Sequence, residues 1–310
     1  MSAPARPLPP LYLLLALAVM VVWGTNFVII RAALSHIPPL TLAALRFSLA
    51  LIPAVFLIRR PAVPWRGLAT YGGLIGAGQF GMLFLAMRHD ISPGLASLVI
   101  QTQVFFTLGL AVVFEKEHVR SYQFAALALA AGGLAVILFN THGDVTPLGL
   151  GLTLLAALSW AGGNIASRRA GSVNMLAFVV WGALFSVPPL IVLALIFEGW
   201  PAMRAGVTGA DWTVWVNIAW QAWGNTLFGY GAWAWLLSRH PAAQVAPMAL
   251  LVPVVGLATA AIVFHEAMQP WKVLAAGLVL GGLALNLLWP RLVVLLSAGP
   301  KLNAPPTEGS

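Results

Sequence analysis

The residues that could perform catalysis are few and scattered along the chain. His265-Glu266 begins like a zinc-binding H-E-x-x-H helix, but Gln269 stands where that motif needs its second histidine. Asp90 and Asp144 stand alone, without the clustered acids that a Mg²⁺-dependent transferase would use. The chain has no cysteine, which excludes thiolate metal sites. We therefore expect no metal and no cofactor, and keep as the alternative function a polytopic membrane enzyme acting on a lipid or small amphipathic substrate.

Polar side chains inside long apolar stretches favour ligand binding instead. Arg46 is the one ionised group well inside such a stretch, where a charge is costly unless it faces a wet cavity or a partner. It could bind a substrate carboxylate, serve a structural role or extend toward the outer membrane face. Asn26 and Asn164 could line a cavity or join helices, because an amide in lipid must face protein or water. Gln79 and Gln101 pose the same choice.

Three aromatic residues lie deep in these stretches beside a glycine or near one. Trp23, Trp160 and Tyr230 would pack in the protein interior by default, but small neighbours would leave space for a ligand ring or ammonium group. The predicted substrate-binding residues are therefore Trp23, Asn26, Arg46, Gln79, Gln101, Trp160, Asn164 and Tyr230.

Prolines interrupt two of the apolar stretches. Pro247 and Pro253 lie in one and Pro188-Pro189 in another, and proline frees backbone carbonyls and kinks a helix. Pro247 and Pro253 are predicted hinge residues, although such kinks could also merely shape a helix bundle.

The composition indicates which elements position these residues. Of 310 residues, 60% are hydrophobic and 8% are charged, far more apolar than a soluble domain. A membrane-spanning helix needs about 20 mostly apolar residues. Ten such stretches follow one another, at roughly 11–33, 39–58, 66–88, 93–114, 121–140, 148–168, 174–197, 211–237, 243–264 and 270–292. The sequence therefore predicts an all-α membrane protein with ten transmembrane helices and no separate soluble domain.

Basic residues set the predicted orientation. With both termini in the cytoplasm, eleven Lys and Arg residues lie inside and only four outside, namely Arg31, Arg88, Arg204 and Lys272. The net charge of +8 is spread singly or in pairs, so it makes no stripe suited to nucleic acid. We expect cytoplasmic tails at 1–10 and 297–310, the latter disordered.

The two halves of the chain resemble each other. Asn26 and Asn164 lie 138 residues apart, and Gly132-Gly133 matches Gly281-Gly282 at an offset of 149, as Glu117 matches Glu266. We predict one five-helix repeat at 11–140 and a second at 148–292. An odd number of crossings inverts the second copy, which is the plan of many secondary transporters.

Several short motifs, in order, resemble those of the drug/metabolite transporter superfamily, and most closely its EamA-type exporters of amino acids and related metabolites. They are Trp23-Gly24-Thr25-Asn26-Phe27, Leu45-Arg46-Phe47, Gly94-Leu95-Ala96-Ser97-Leu98, Ser159-Trp160-Ala161-Gly162-Gly163-Asn164, Val245-Ala246-Pro247 and Leu251-Val252-Pro253-Val254-Val255-Gly256. The resemblance implies two inverted five-helix repeats and efflux across a bacterial inner membrane. In fold the chain is also similar to the YddG exporters of aromatic amino acids.

The sequence thus predicts a secondary transporter that exports amino acids and similar metabolites by alternating access, with broad specificity that includes aromatic amino acids. All eight acidic residues fall at span ends or in loops, so we expect no obligatory proton coupling. The expected partners are the small-molecule substrate and membrane lipids. Gly72-x-x-x-Gly76 and Gly277-x-x-x-Gly281 are expected to pack within one chain, which would then act as a monomer.

Overall fold

The computed structural model describes residues 9–116, 120–140, 143–240 and 245–297. These residues are helical apart from short connections and an isolated antiparallel bridge between Ile91 and Val145. Eight helices in this part of the chain are long and apolar enough to cross a membrane. They are α1 Pro10–Leu34, α2 Pro39–Leu57, α3 Trp65–His89, α4 Pro93–Phe114, α5 Ser121–Phe139, α6 Pro147–Arg169, α7 Met175–Phe197 and α10 Pro270–Trp289. Two further helical segments, α8 and α9, lie between α7 and α10.

The two intervening runs fall on the eighth and ninth predicted stretches. Helix α8 covers 212–239, where Asn217, Gln221 and Asn225 lower the mean hydropathy. Helix α9 covers 246–263, of which Met248–Val263 is apolar but short for a membrane span. Its predicted first residues, 243 and 244, lie outside the described residues, as do Glu117 and most of both predicted tails. A further short helix, Trp200–Gly209, connects α7 to α8.

Proline and short polar side chains fix where the helices begin. Helices α1, α2, α4, α6 and α10 each start at a proline, whose missing N–H has no helical partner in the first turn. The side chains of Thr146, Asn174 and Asp211 cap α6, α7 and α8 by accepting a backbone N–H.

Internal prolines behave differently from one helix to the next. The prediction that Pro188-Pro189 interrupts its helix is wrong, because α7 continues from Met175 to Phe197 through both residues. Helix α2, predicted to be continuous, is instead broken after Leu51, ahead of Pro53, and resumes as Ala54–Leu57. A proline disfavours the helical conformation of the residue before it.

Four helices contain a non-α segment, three of them near the middle and one at its start. Helix α3 is π-helical over Leu74–Gly81 and α8 over Trp220–Phe228. Helix α4 tightens to a 3₁₀ turn at Ile100–Thr102, and α9 begins with one at Ala246–Leu250. The four segments form two pairs, each separated by about 146 residues in sequence. Such irregular turns often mark functional sites.

The main contacts between a helix of the first half and a helix of the second half each have a counterpart in which the two halves have swapped roles. Helix α1 packs against α9 and, correspondingly, α6 packs against α4. Helix α3 contacts α6 and α7, as α8 contacts α1 and α2, while α2 packs on α7 and α5 on α10. The pair α5 and α10 lies to one side and leaves the other helices around the centre.

Matching glycines allow α5 and α10 to approach closely. A Cβ at Gly133 would lie 2.9 Å from the carbonyl oxygen of Ala275, and one at Gly282 would lie 2.5 Å from that of Ala126. Gly72 and Gly76 likewise face α7, as expected. The prediction that Gly277 and Gly281 pack within the chain is wrong, because no described atom outside the neighbouring backbone of α10 lies within 4 Å of a Cβ built at either.

Candidate functional site

A cavity of about 840 Å³ lies between the two halves of the chain. Helices α1, α3, α4, α6, α7, α8 and α9 all contribute side chains to it, whereas α5 and α10 do not. All four non-α segments reach its wall, through Gln79, Gln101, Asn225 and Ala249 among others. Cavities of this size hold small organic molecules.

The cavity reaches the surface at one end of the bundle. Asn174 and Trp235 line it and are exposed, and Ser167 and Val173 lie beside them. This end carries the connection between α6 and α7, and we call it the mouth end. Helix α6 runs from Pro147 to Arg169, so Pro147 and the connections near it mark the opposite, closed end.

A cluster of charged and hydroxyl side chains ties segments together at the closed end. The fully buried Lys272 Nζ lies 2.6 Å from Asp144 Oδ2 and 3.0 Å from Glu266 Oε1. Glu266 also accepts hydrogen bonds from Ser92 Oγ at 2.5 Å and from the Gly94 backbone at 3.3 Å, at the start of α4. We call Ser92, Asp144, Glu266 and Lys272 the closed-end cluster. It joins residues before α4, α6 and α10.

A second carboxylate caps a helix at the same end. Glu198 accepts hydrogen bonds from the backbone N–H groups of Leu40 and Thr41, at 2.6 and 3.0 Å, and from the Thr41 hydroxyl at 2.6 Å. A negative charge at a helix N-terminus is stabilising. Glu198 thus fastens the end of α7 to the start of α2.

Seven of the eight predicted binding residues line the large cavity. They are Trp23, Asn26, Gln79, Gln101, Trp160, Asn164 and Tyr230. Arg46 does not. It lines a separate void of about 10 Å³ behind Tyr71, Phe80 and Tyr230, the three residues that also face the large cavity. Arg46 is fully buried by protein, so it does not extend to a membrane face.

The amides that face the cavity differ in their hydrogen bonding. Asn164 Nδ2 donates to Gln103 Oε1 at 2.8 Å and to Thr107 Oγ1 at 3.1 Å, so it both lines the cavity and joins α6 to α4. Asn26 Oδ1 and Gln79 Oε1 are buried and have no partner. Unpaired buried acceptors are costly unless a ligand or water meets them.

Aromatic rings form part of the cavity wall around Trp23. Its ring centroid lies 5.5 Å from those of Tyr230 and Trp233, and its Nε1 donates to the Asn225 carbonyl at 3.2 Å. The glycines do not leave open space for a ligand, contrary to expectation, because the indole of Trp23 fills the position of a Cβ at Gly229. Leu74 and Val255 approach Gly162 and Gly24 in the same way.

The side chains lining the cavity include no Asp, Glu, Lys, Arg or His among the described residues. The described part of the chain also holds no group of three or more potential metal ligands. What the wall offers is amide groups, the hydroxyl groups of Tyr71, Tyr230 and Ser167, and aromatic faces.

Sequence reasoning did not single out Asn174, Asn225 or Trp233. Asn225 could have been found from the repeat, because Gly224-Asn225 lies 146 residues after Gly78-Gln79. The predicted hinge residue Pro253 lies in the α-helical part of α9, and Pro247 lies in its opening 3₁₀ segment, although the Pro247 side chain is outside what the structure describes.

A central cavity that opens at one end among helices long and apolar enough to cross a membrane is the arrangement expected of a multi-pass membrane transporter. The family comparison agrees. Residues 10–139 and 147–288 match the EamA-like transporter family, and the chain belongs to that family.

The proteins similar to this chain include two curated relatives and a solved structure. A protein of Salmonella typhimurium named probable amino-acid metabolite efflux pump is 41% identical over 278 residues, 88% of this chain and 93% of the relative. A protein of Escherichia coli with the same name is 42% identical over the same shares. A crystal structure 20% identical to the chain covers 91% of it and 98% of its own chain with a TM-score of 0.62, which shows a common fold.

Proposed function

We propose that this protein exports amino acids and similar small zwitterions across the inner membrane by alternating access. The observation that carries the proposal is the large cavity, whose described lining residues include none that is charged; it presents unpaired amides beside aromatic rings and opens at the mouth end. The names of the two relatives, probable amino-acid metabolite efflux pumps, support this cargo and direction.

The chemistry of the wall suits a zwitterion. The free oxygens of Asn26 and Gln79 can accept hydrogen bonds from an ammonium group, and the ring faces of Trp23 and Tyr230 can attract it. Aromatic and aliphatic surface elsewhere in the wall can hold the side chain of the cargo. A mostly apolar wall discriminates by only about 1 to 3 kcal/mol per methylene, so we expect broad specificity that includes aromatic amino acids.

The shape of the molecule supports alternating access. The cavity is open at the mouth end, and the closed-end cluster and the Glu198 cap hold segments together at the other end. The non-α segments of α3, α4, α8 and α9 surround the cavity, and hinges are expected where backbone geometry is already irregular. We infer that Pro247 and Pro253 take part in this hinge movement.

The arrangement that we propose is ten spans in two inverted repeats, at 11–140 and 148–292, with both termini cytoplasmic. Exchanged packing partners, paired non-α segments and two family matches along the chain support the repeats. The basic pair Arg168-Arg169 beside the mouth supports a cytoplasmic mouth. An exporter must load its cargo from that side. The cavity is formed within one chain, which supports a functional monomer in contact with membrane lipid.

Counterflow in proteoliposomes tests the proposal. Vesicles holding purified protein and loaded with one unlabelled amino acid at a time should accumulate the same labelled amino acid, with no ion gradient imposed. Empty vesicles give the background. Exchange of organic cations or nucleosides but of no amino acid would overturn the cargo. Accumulation that requires an imposed pH gradient would overturn uncoupled transport.

A further inference from the structure

Arg46 is a fully buried cation for which the described part of the chain provides no counter-ion. Its Nη2 donates to Thr226 Oγ1 at 3.1 Å, while Nε and Nη1 have no hydrogen-bond partner. The guanidinium lies 3.9 Å from the ring centroid of Phe80 and 5.7 Å from that of Phe47. Among the described residues, no carboxylate pairs with it.

Packing on Phe80 offsets only part of the cost of this burial. A cation over an aromatic ring gains roughly 2 kcal/mol when desolvated, whereas removing an ion from water costs several kcal/mol. Two donors remain unsatisfied in addition. If residue 46 only filled space in the core, an apolar side chain would cost less free energy to bury than an arginine. The arrangement therefore points to an anion that binds Arg46 during part of the transport cycle.

The wall in front of Arg46 separates it from the cargo cavity by one layer of side chains. Tyr71, Phe80 and Tyr230 face the Arg46 void on one side and the large cavity on the other. Phe80 belongs to the π-helical segment of α3, and Thr226, which holds Arg46, belongs to that of α8. The void of about 10 Å³ is the size of roughly one water molecule, so a carboxylate enters only if this wall moves.

We propose that Arg46 is the binding site for the carboxylate of the cargo, closed in this structure behind Tyr71, Phe80 and Tyr230 and opened by rearrangement of the two π-helical segments. The proposal rests on the proposed function, since it assumes a zwitterionic cargo. It divides the recognition of the zwitterion. The carboxylate binds Arg46, and the ammonium group binds the free amides and rings of the large cavity.

The experiment compares an amino acid with its carboxamide, which keeps the ammonium group and shape but has no negative charge. The probe is the amino acid that exchanges best in the counterflow panel, and binding to purified protein is followed by thermal shift. The wild type should bind the amino acid at least about tenfold more tightly than the carboxamide, the value of a charge-assisted hydrogen bond.

Arg46→Gln should abolish that preference, so that the two probes bind within about twofold of each other, while affinity for the carboxamide stays unchanged. Arg46→Lys, which keeps the charge, should retain part of the preference. Arg31→Gln is the matched control, because Arg31 also lies in a span but already donates to the backbone carbonyls of Met87 and Arg88. It should leave the preference intact.

Two results would overturn the carboxylate site. One is a folded Arg46→Gln protein that still prefers the amino acid. The other is a wild-type protein that binds both probes equally, a measurement that does not depend on whether any variant folds. A counterflow panel in which no amino acid exchanges is a different result, since it rejects the proposed cargo rather than the role of Arg46.

Discussion

Two asparagines that look equivalent in the sequence have different surroundings in the structure. Asn164 is held by Gln103 and Thr107 of α4, whereas Asn26 Oδ1 has no partner. The reason lies in the packing partners. Helix α1 packs on α9 as α6 packs on α4, but the positions 146 to 149 residues after Gln103 and Thr107, namely Ala249 or Val252 and Pro253 or Gly256, offer no side-chain hydrogen bond.

This difference predicts opposite effects for the two alanine variants. Asn164→Ala leaves the Gln103 oxygen without its donor, so it should lower the free energy of unfolding by about 1 to 3 kcal/mol and change transport little. Asn26→Ala removes a cavity-lining oxygen that has no hydrogen-bond partner, so it should raise the counterflow KM about tenfold at unchanged stability. Thermal unfolding in detergent and counterflow measure the two effects. Equal stability loss in both variants would contradict this assignment.

At the scale of the helix, the sequence predicted positions well and irregularities poorly. The apolar stretches and their prolines gave the helix starts to within a residue or two, because proline at a first turn is a local preference. The π-helical segments at Leu74–Gly81 and Trp220–Phe228 were not predicted. Tertiary contacts accompany them, such as Ser159 Oγ donating to the Leu74 carbonyl at 2.9 Å, and no local pattern encodes these.

The sequence also could not show which of the predicted binding residues face the cavity. It placed Trp23, Asn26 and Gln79 near the centre, and all three line the cavity. It did not reveal that a wall of side chains separates Arg46 from that cavity, because Tyr71 and Phe80 of α3 meet Arg46 only in the folded bundle.

The seam between α5 and α10 allows a test with built-in controls. Gly133→Ala and Gly282→Ala would each place a methyl group within 3 Å of a backbone carbonyl of the other helix. Overpacking of this kind should lower the free energy of unfolding by about 1 to 3 kcal/mol. Gly132→Ala and Gly281→Ala, whose Cβ positions have 3.9 Å or more of clearance, should leave it unchanged or slightly raised. Thermal melts of all four variants that coincide would contradict the close contact.

For the molecule as a whole, the orientation in the membrane decides which face loads cargo. Ala62 and Ala202 are both exposed, at opposite ends of the bundle, and the chain contains no native cysteine. With a cytoplasmic mouth, a cysteine at Ala202 should react with a membrane-impermeant thiol reagent in intact cells and one at Ala62 should not. Inside-out vesicles should give the reverse pattern and serve as the control. Labelling of Ala62 alone in intact cells would mean that the protein is inverted.

The closed-end cluster should determine what fraction of molecules is open at the closed end. Lys272 holds the carboxylates of Asp144 and Glu266 together, so Lys272→Gln would leave two like charges side by side. Removing one partner of a buried ion pair costs about 3 kcal/mol or more, which shifts a two-state ratio by roughly a hundredfold if the open state does not bear that cost. The opened state should then become populated.

A cysteine in place of Ile30, a cavity residue in the part of α1 nearest the closed end, reports that opening. In intact cells it should be protected from an impermeant reagent when Lys272 is present and labelled when Lys272→Gln is added. Arg204→Gln is the matched control, because it removes an exposed positive charge from the same end outside the cluster. Lys272→Arg should restore protection, since it keeps the charge between the two carboxylates. If Lys272→Gln is folded and Ile30 remains protected, the cluster only stabilises the fold, and the gate at this end must depend on the Glu198 cap or on packing of α1 against α9.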